Sequence, residues 1–434
     1  MYVSSALCCL PQIPTLTITS FNIGADQFEF VAKIPNNYGA IGTGFDVFHT
    51  ENLSSNNWKY LQRVPILNNA PCGCSVPFEI PFSAITHTDL CNEIPNQGFF
   101  YLGTLHDSDD DGLPDAYEML VSKTDRFDPL DSTEDFDEDG LINLHEYWSA
   151  TDCRVADADP IENALANAAL AIDSRIVGKN PVDALPMFLN YLANGQTNTF
   201  IRNPQSWASD IDLTCCSVWN SADKNKRAGT LISPRHVLFV AHYPIGAGTV
   251  MTFVDKNNNV VIRTITATKR HTDYGLYDYP YYPDIVIGLL DSDVPTNTIS
   301  FAYVLPDDYY LYIKTGMRLP CIKLNQFEEA AVGEIEDVSY EEDSMHFAIV
   351  SLPLISKRIP FSKNVIQYDS GNPTFLVLND TPVLLTLWTG VDPISGTAIG
   401  TSIVSLKDDI NTLMAQLDPT YQLTEIDLSS FTPL

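Results

Sequence analysis

Residues 12 to 104 alternate apolar and polar positions in short runs. Thr15-Leu16-Thr17-Ile18 and Phe28-Glu29-Phe30-Val31-Ala32 put every second side chain on one face, and strings rich in Pro, Asn and Ser separate such runs. A period of two between turn formers is the mark of half-buried strands. The pattern predicts a small β-sandwich over residues 1–104. Nothing in it carries chemistry, so adhesion, spacing or assembly is its expected work.

The period then lengthens. From Ile161 to Ile176, Leu165, Ala168, Leu170, Ile172 and Ile176 recur at helical spacing, and Pro181 to Leu192 continues the apolar content through Ala184, Leu185, Met187, Phe188 and Leu189. A polar tether would lack such a face. Residues 159–200 are therefore expected to be a helical linker docked on the strand-rich region C-terminal to it. Toward the C-terminus, Asp408 to Leu417 is amphipathic, with Ile410, Leu413, Met414 and Leu417 on one face, and residues 419–434 form a tail. The expected class is mainly β and multidomain.

Two twelve-residue strings interrupt these patterns. Asp107, Asp109, Asp111, Leu113, Asp115 and Glu118 stand at positions 1, 3, 5, 7, 9 and 12 of the first, and Asp135, Asp137, Asp139, Leu141, Asn143 and Glu146 at the same positions of the second. Hard cations take about six to eight oxygens, glycine at the sixth position permits the sharp turn, and the last glutamate chelates with both oxygens. Gly112 and Gly140 occupy that sixth position, Leu113 and Leu141 would offer backbone carbonyls, and Asp115 and Asn143 would act directly or through water. The strings predict two Ca2+ sites within residues 105–158. A strand-like run, Gly98 to Thr104, precedes the first loop, and one helix comes after each, Asp115 to Ser122 and Asn143 to Ser149. This resembles thrombospondin type 3 repeats and dockerin-like modules, which implies a structural brace. The preceding strands resemble a fibronectin type III or immunoglobulin sandwich.

Three further segments carry candidate catalysis: Val240-Ala241-His242, Asp284 opening the apolar run Ile285 to Leu290, and Tyr368-Asp369-Ser370-Gly371-Asn372-Pro373. A serine hydroxyl attacks a carbonyl only when a positioned base takes its proton. Histidine, aspartate and serine in this order resemble the trypsin-like, chymotrypsin-fold serine peptidases, over roughly residues 201–418. The resemblance implies a double β-barrel, His242 as base, Asp284 as its orienting partner and Ser370 as nucleophile. Asp273, Asp278, Asp291 and Asp293 compete with Asp284 for the aspartate's place. Backbone N–H groups of Tyr368 and Ser370 would hold the oxyanion, although Tyr368 stands where most relatives have glycine. Thr386 to Gly390 would supply the strand that pairs with a peptide substrate, and Asn364, six before Ser370, argues against cleavage after Lys or Arg. Arg175-Ile176-Val177-Gly178 matches the string at which some relatives are activated, with Asp369 as the acid that a freed amine would meet, but its alanine-rich surroundings predict a helix instead.

Charge narrows the partners. The chain of 434 residues carries a net charge of −31, and residues 107 to 159 hold 18 acidic against three basic residues, so 15 of those charges crowd into one stretch. Without cations this stretch repels itself. Polyanions such as nucleic acid are disfavoured, and an extracellular or cell-surface, calcium-replete setting is favoured. No apolar run reaches the roughly 18 residues of a membrane span. Met1 to Leu10 has no basic residue and does not read as a secretory leader. The nine cysteines leave at least one thiol unpaired within the chain; Cys91 with Cys72 or Cys74 is the expected disulfide.

The expected function is a secreted or surface-displayed serine endopeptidase acting on a protein or peptide substrate. Its sandwich arm would serve self-assembly or a cell-surface partner. The alternatives are a structural surface or filament protein, or a calcium-dependent adhesin, with an inactive protease-like domain.

Overall fold

The structure, a computed structural model, describes residues 16–23, 27–33, 44–50, 58–65, 75–81, 99–109, 111–137, 141–149, 151–156, 163–191, 200–218, 228–275, 283–313, 317–342, 345–353, 355, 357–391 and 397–433. Asp139, Gly140, Asp278 and the cysteines Cys8, Cys9, Cys72, Cys74 and Cys91 lie outside these residues. The chain divides into two compact units, Met1–Ala158 and Asp159–Leu434.

The first unit holds two three-stranded antiparallel sheets. Strands β1 (Thr17–Ile23), β2 (Gln27–Lys33) and β5 (Ser75–Pro81) form one, with β2 central; β3 (Gly44–Thr50), β4 (Lys59–Pro65) and β6 (Phe99–Thr104) form the other, with β3 central. Their apolar faces meet: Phe30 of β2 packs edge-on against Phe100 of β6 at 4.9 Å, and Leu16, Ala32, Phe45, Val47 and Val64 are buried. Helix α1 (Asp115–Tyr117) continues as a π turn to Ser122, and α2 (Asn143–Ser149) succeeds the second loop. Both pack on the second sheet through Tyr60, Tyr117 and Tyr147. Tyr147 also donates its hydroxyl to the buried Asp46 carboxylate at 2.5 Å.

The second unit opens with α3 (Ala164–Ile176), capped by the Asn163 side chain, which accepts from the N–H groups of Leu165 and Ala166. Its buried face is Leu165, Ala168, Ile172 and Ile176. The helical pattern beyond Pro181 does not persist: α4 spans only Pro181–Ala184. Pro186 then bridges to Glu329 and Phe188 to Arg202, so the chain runs extended where a helix was expected. The physical reason is Pro186, which has no N–H to give a helix interior.

Strands β7 (Thr230–Leu231), β8 (His236–Phe239), β9 (Val250–Val254), β10 (Val260–Arg270) and β11 (Val286–Leu290) form a five-stranded half-barrel in the order β7-β8-β11-β10-β9. The larger sheet contains β12 (Tyr303–Val304), β13 (Leu319–Leu324), β14 (Ala330–Glu342), β15 (Met345–Ser351), β16 (Pro373–Leu378), β17 (Thr381–Val391), β18 (Ala398–Thr401) and β19 (Thr424–Glu425). Six of these close on themselves, β16-β13-β14-β15-β18-β17 and back to β16, while β12 and β19 extend from β17 in parallel. Closure leaves those six strands without a free edge. Helix α5 (Lys407–Leu417) buries Ile410, Leu413 and Met414. The fold is thus mainly β, with a closed barrel and a half-barrel in one unit. Among the described residues no helix is long and apolar enough to cross a membrane.

Candidate active site

Strand register delivers the first two residues of the site. β8 and β11 are antiparallel neighbours with Phe239 opposite Val286, so the segment leaving β8 and the segment entering β11 emerge at the same sheet end. His242 and Asp284 lie on those two segments, and the Nδ1 to Oδ2 distance is 2.5 Å. Asp284 is fully buried, and its other oxygen accepts the N–H groups of Ala241 at 2.9 Å and His242 at 2.8 Å. Its own N–H donates to Thr401 Oγ1, on β18 of the closed barrel, at 3.2 Å. Of the competing aspartates, Asp293 accepts the Tyr421 hydroxyl, and Asp273 and Asp291 are engaged by Thr272 and Ser292.

Ser370 comes from the closed barrel, in the turn before β16, and its Oγ is 2.9 Å from His242 Nε2. His242 therefore bridges a buried carboxylate and a hydroxyl with its two ring nitrogens. That arrangement fixes one tautomer, with the proton on Nδ1 and the Nε2 lone pair toward the serine. Chemically, it can take a proton from Ser370 and return it to a leaving group.

The turn is held from several sides. Gly371, at φ +88°, donates its N–H to the Trp388 carbonyl at 3.1 Å, while Trp388 donates to the Asn372 carbonyl at 3.0 Å. A Cβ at residue 371 would add left-handed strain at this point. Asp369 is buried behind the serine and accepts from Ile366 N–H and from the backbone and side chain of Gln326. Burial pushes its carboxyl above the ordinary range, against the pull of these N–H donors. Sequence reasoning missed Gln326, because only the folding of β13 against the serine turn brings residue 326 there.

Tyr368 is at φ +80° and 48% exposed. The left-handed region costs a non-glycine residue about 1–2 kcal/mol. Its ring stands 6.5 Å from that of Tyr243, the residue after the histidine. Among the described residues, no backbone acceptor takes the N–H of Tyr368 or of Ser370. Asn364 is exposed on the segment leading to the turn. Arg175 lies in α3, bonded to Asp210 and Asp380, and Ile176 is buried, so the string 175–178 is built into the fold as helix and turn.

The acidic loops lie in the first unit. Asp107 accepts the N–H groups of Asp111 and Gly112, and Gly112 adopts φ +97°, as the sharp turn requires. Asp107, Asp109 and Asp111 each present an oxygen within 4.8 Å of the others, and so do Asp111, Glu118 and Asp131. Burial, reinforced by the neighbouring carboxylates, pushes Asp109 up to about 6, Asp111 to about 7 and Glu118 to about 8. Oxygens of Asp109, Asp111, Glu118 and Asp131 are buried without a hydrogen-bond partner. Such donors suit a hard cation, the chemistry of which is oxygen ligation. Ser108 donates its N–H and hydroxyl to the two carboxylate oxygens of Asp115 at 2.9 and 2.8 Å, which ties the loop to α1. In the second loop Leu141, Asn143 and Glu146 are buried, and Asp135 and Asp137 are half-buried.

Among the described residues Cys153, Cys215, Cys216 and Cys321 are free, buried thiols. No family model and no curated protein matches this chain.

Proposed function

We propose that the chain is a serine endopeptidase of the trypsin-like, chymotrypsin-fold kind, secreted or displayed at the cell surface. The observation that carries this reading is the continuous chain of hydrogen bonds Asp284 to His242 to Ser370. Ser370 Oγ attacks the scissile carbonyl as His242 Nε2 takes its proton. Asp284 keeps the imidazole oriented and stabilises the imidazolium. The N–H groups of Tyr368 and Ser370 receive the oxyanion, each such donor accounting for about 10²–10³ in rate. His242 then protonates the leaving amine, and water repeats the cycle on the acyl-enzyme.

The acidic loops bind two Ca2+ ions in this reading, and the ions neutralise carboxylates that otherwise repel one another. Their role is structural, in an arm that resembles a fibronectin type III or immunoglobulin sandwich and that meets a surface partner or another copy. The strained Tyr368 favours a second reading, in which the protease-like domain is an inactive packing module of a surface or filament protein. Labelling with an active-site phosphonate separates the two. Covalent capture at Ser370, abolished in Ser370→Ala and in His242→Ala, is the expected result. A folded protein that takes up no label supports the inactive module.

A further inference from the structure

We propose that Asp131, which belongs to neither twelve-residue loop, is a ligand of the cation held by the first loop, in the place that the loop pattern assigns to Asp115. This rests on reading the loops as calcium sites.

Glu118 is fully buried, and Asp111 and Asp131 are 4% and 7% exposed. Each presents to the same small space one oxygen without a hydrogen-bond partner, Oε2 of Glu118, Oδ2 of Asp111 and Oδ1 of Asp131. These carboxylates offer oxygens within 4.8 Å of one another, a spacing that a Ca2+ ion can span with bonds of roughly 2.3–2.6 Å. Three buried carboxylates facing one another are strongly disfavoured without a counter-charge. Asp115 is turned toward other partners: Ser108 donates to both of its oxygens, and the Arg126 guanidinium stands 3.7 Å from Oδ2.

The remaining atoms of Asp131 show how it is aimed. Its second oxygen accepts the Asp125 N–H at 2.7 Å, which leaves Oδ1 directed at Asp111 and Glu118. Its carbonyl accepts Asn143 Nδ2, from the ninth position of the second loop, at 2.7 Å. Asn143 also donates its N–H to the Glu134 carbonyl at 2.8 Å. One residue thus joins an ion of the first loop, through its side chain, to a residue of the second, through its backbone. Binding at the first loop orders Asp131 and with it Asn143, so occupation of one loop raises the affinity of the other.

Calcium titration of the full chain by calorimetry, after removal of metal with chelator, tests this. The wild-type protein is expected to bind two ions with positive coupling. Asp131→Asn is expected to weaken the first-loop ion by about tenfold or more and to reduce the coupling, in keeping with the sensitivity of metal sites to their ligand charge. Asp115→Asn, with its Ser108 bonds partly kept, is expected to shift affinity only a few-fold by the same reasoning. Far-ultraviolet circular dichroism at saturating calcium, together with Asp131→Glu, which retains the charge, controls for a fold defect. Wild-type binding by Asp131→Asn, with loss of one ion in Asp115→Asn, overturns the assignment while leaving the loops as calcium sites. No calcium binding by the wild-type chain overturns both.

Discussion

Gln326 meets Asp369 twice, its backbone N–H and its side-chain Nε2 each reaching Oδ1 at 3.1 Å. Asp369 directly precedes the serine, and a buried carboxylate held by amides fixes the path of the backbone that aims the N–H groups of Tyr368 and Ser370. Gln326→Leu leaves that oxygen with fewer donors while roughly keeping side-chain volume. The expected outcome is a fall in kcat of about tenfold to a hundredfold with KM little changed, since the loss falls on positioning and not on substrate binding. An equal rise in KM with constant kcat would place Gln326 in substrate contact instead.

Because Asp369 already has these partners, no newly freed amine is needed to satisfy it. Full-length protein with an intact 175–178 segment is expected to hydrolyse a small ester, and Arg175→Gln, which removes a basic cleavage site outside the catalytic machinery, is expected to leave kcat/KM within about twofold. Amino-terminal sequencing of the active species checks this. Activity that appears only after cleavage between residues 175 and 176 would contradict it.

Tyr368→Gly removes a side chain from a left-handed backbone position while keeping the N–H. The expected gain in stability is about 1 kcal/mol, read as a rise in Tm, with label uptake at Ser370 retained. A fall in Tm would mean that the contact with Tyr243 outweighs the strain.

Arg358 is fully buried and places Nε and Nη2 on the two Asp173 oxygens at 2.8 Å each, with Nη1 on Glu334 at 3.1 Å. This clamps α3 to β14. Arg358→Met leaves Asp173 with Lys357 and Glu334 with Arg318, both partly exposed cations, and is expected to destabilise the second unit by about 2–4 kcal/mol. Chemical denaturation followed by tryptophan fluorescence gives the value. A loss below about 1 kcal/mol would show that the pair merely offsets its own desolvation.

Chelation should act on the first unit in a pH-dependent way. Asp109, Asp111 and Glu118 are raised to about 6, 7 and 8, so without metal the fold favours their protonated forms. A carboxyl raised on folding contributes stability that is full below the unfolded value near 4 and is lost as pH rises through the folded one. In chelator, Tm of the first unit is therefore expected to fall between about pH 5 and 8, and calcium to reverse that slope because protons then compete with the ion. Limited proteolysis within residues 105–158 should rise in chelator, while ester hydrolysis persists. Immediate loss of ester hydrolysis would contradict the purely structural role proposed for Ca2+.

What was legible in the sequence is what local patterning dictates. Strand alternation, the helix after each acidic loop and the three strings that hold His242, Asp284 and Ser370 stand in contiguous residues, because each needs neighbours of a given type at fixed spacing. What was not legible depends on pairs far apart in the chain. Arg358 and Asp173 are separated by 185 residues and Gln326 and Asp369 by 43, and only sheet closure brings them together. The approach of Asp131 to Asp111 and Glu118 was likewise hidden, because Asp131 lies outside both twelve-residue strings. Pro186 marked the end of a helix that apolar content alone extended too far.

The histidine and aspartate stand on a half-barrel, and the serine on a separately closed one. Neither sheet can complete the proton path by itself, so a shift of about an ångström between them breaks the link at Ser370 while every strand stays paired. If the proposed peptidase activity is present, gradual warming would extinguish it ahead of any change in secondary structure, and the Ser370 hydroxyl would report the alignment of a half-barrel with a closed barrel.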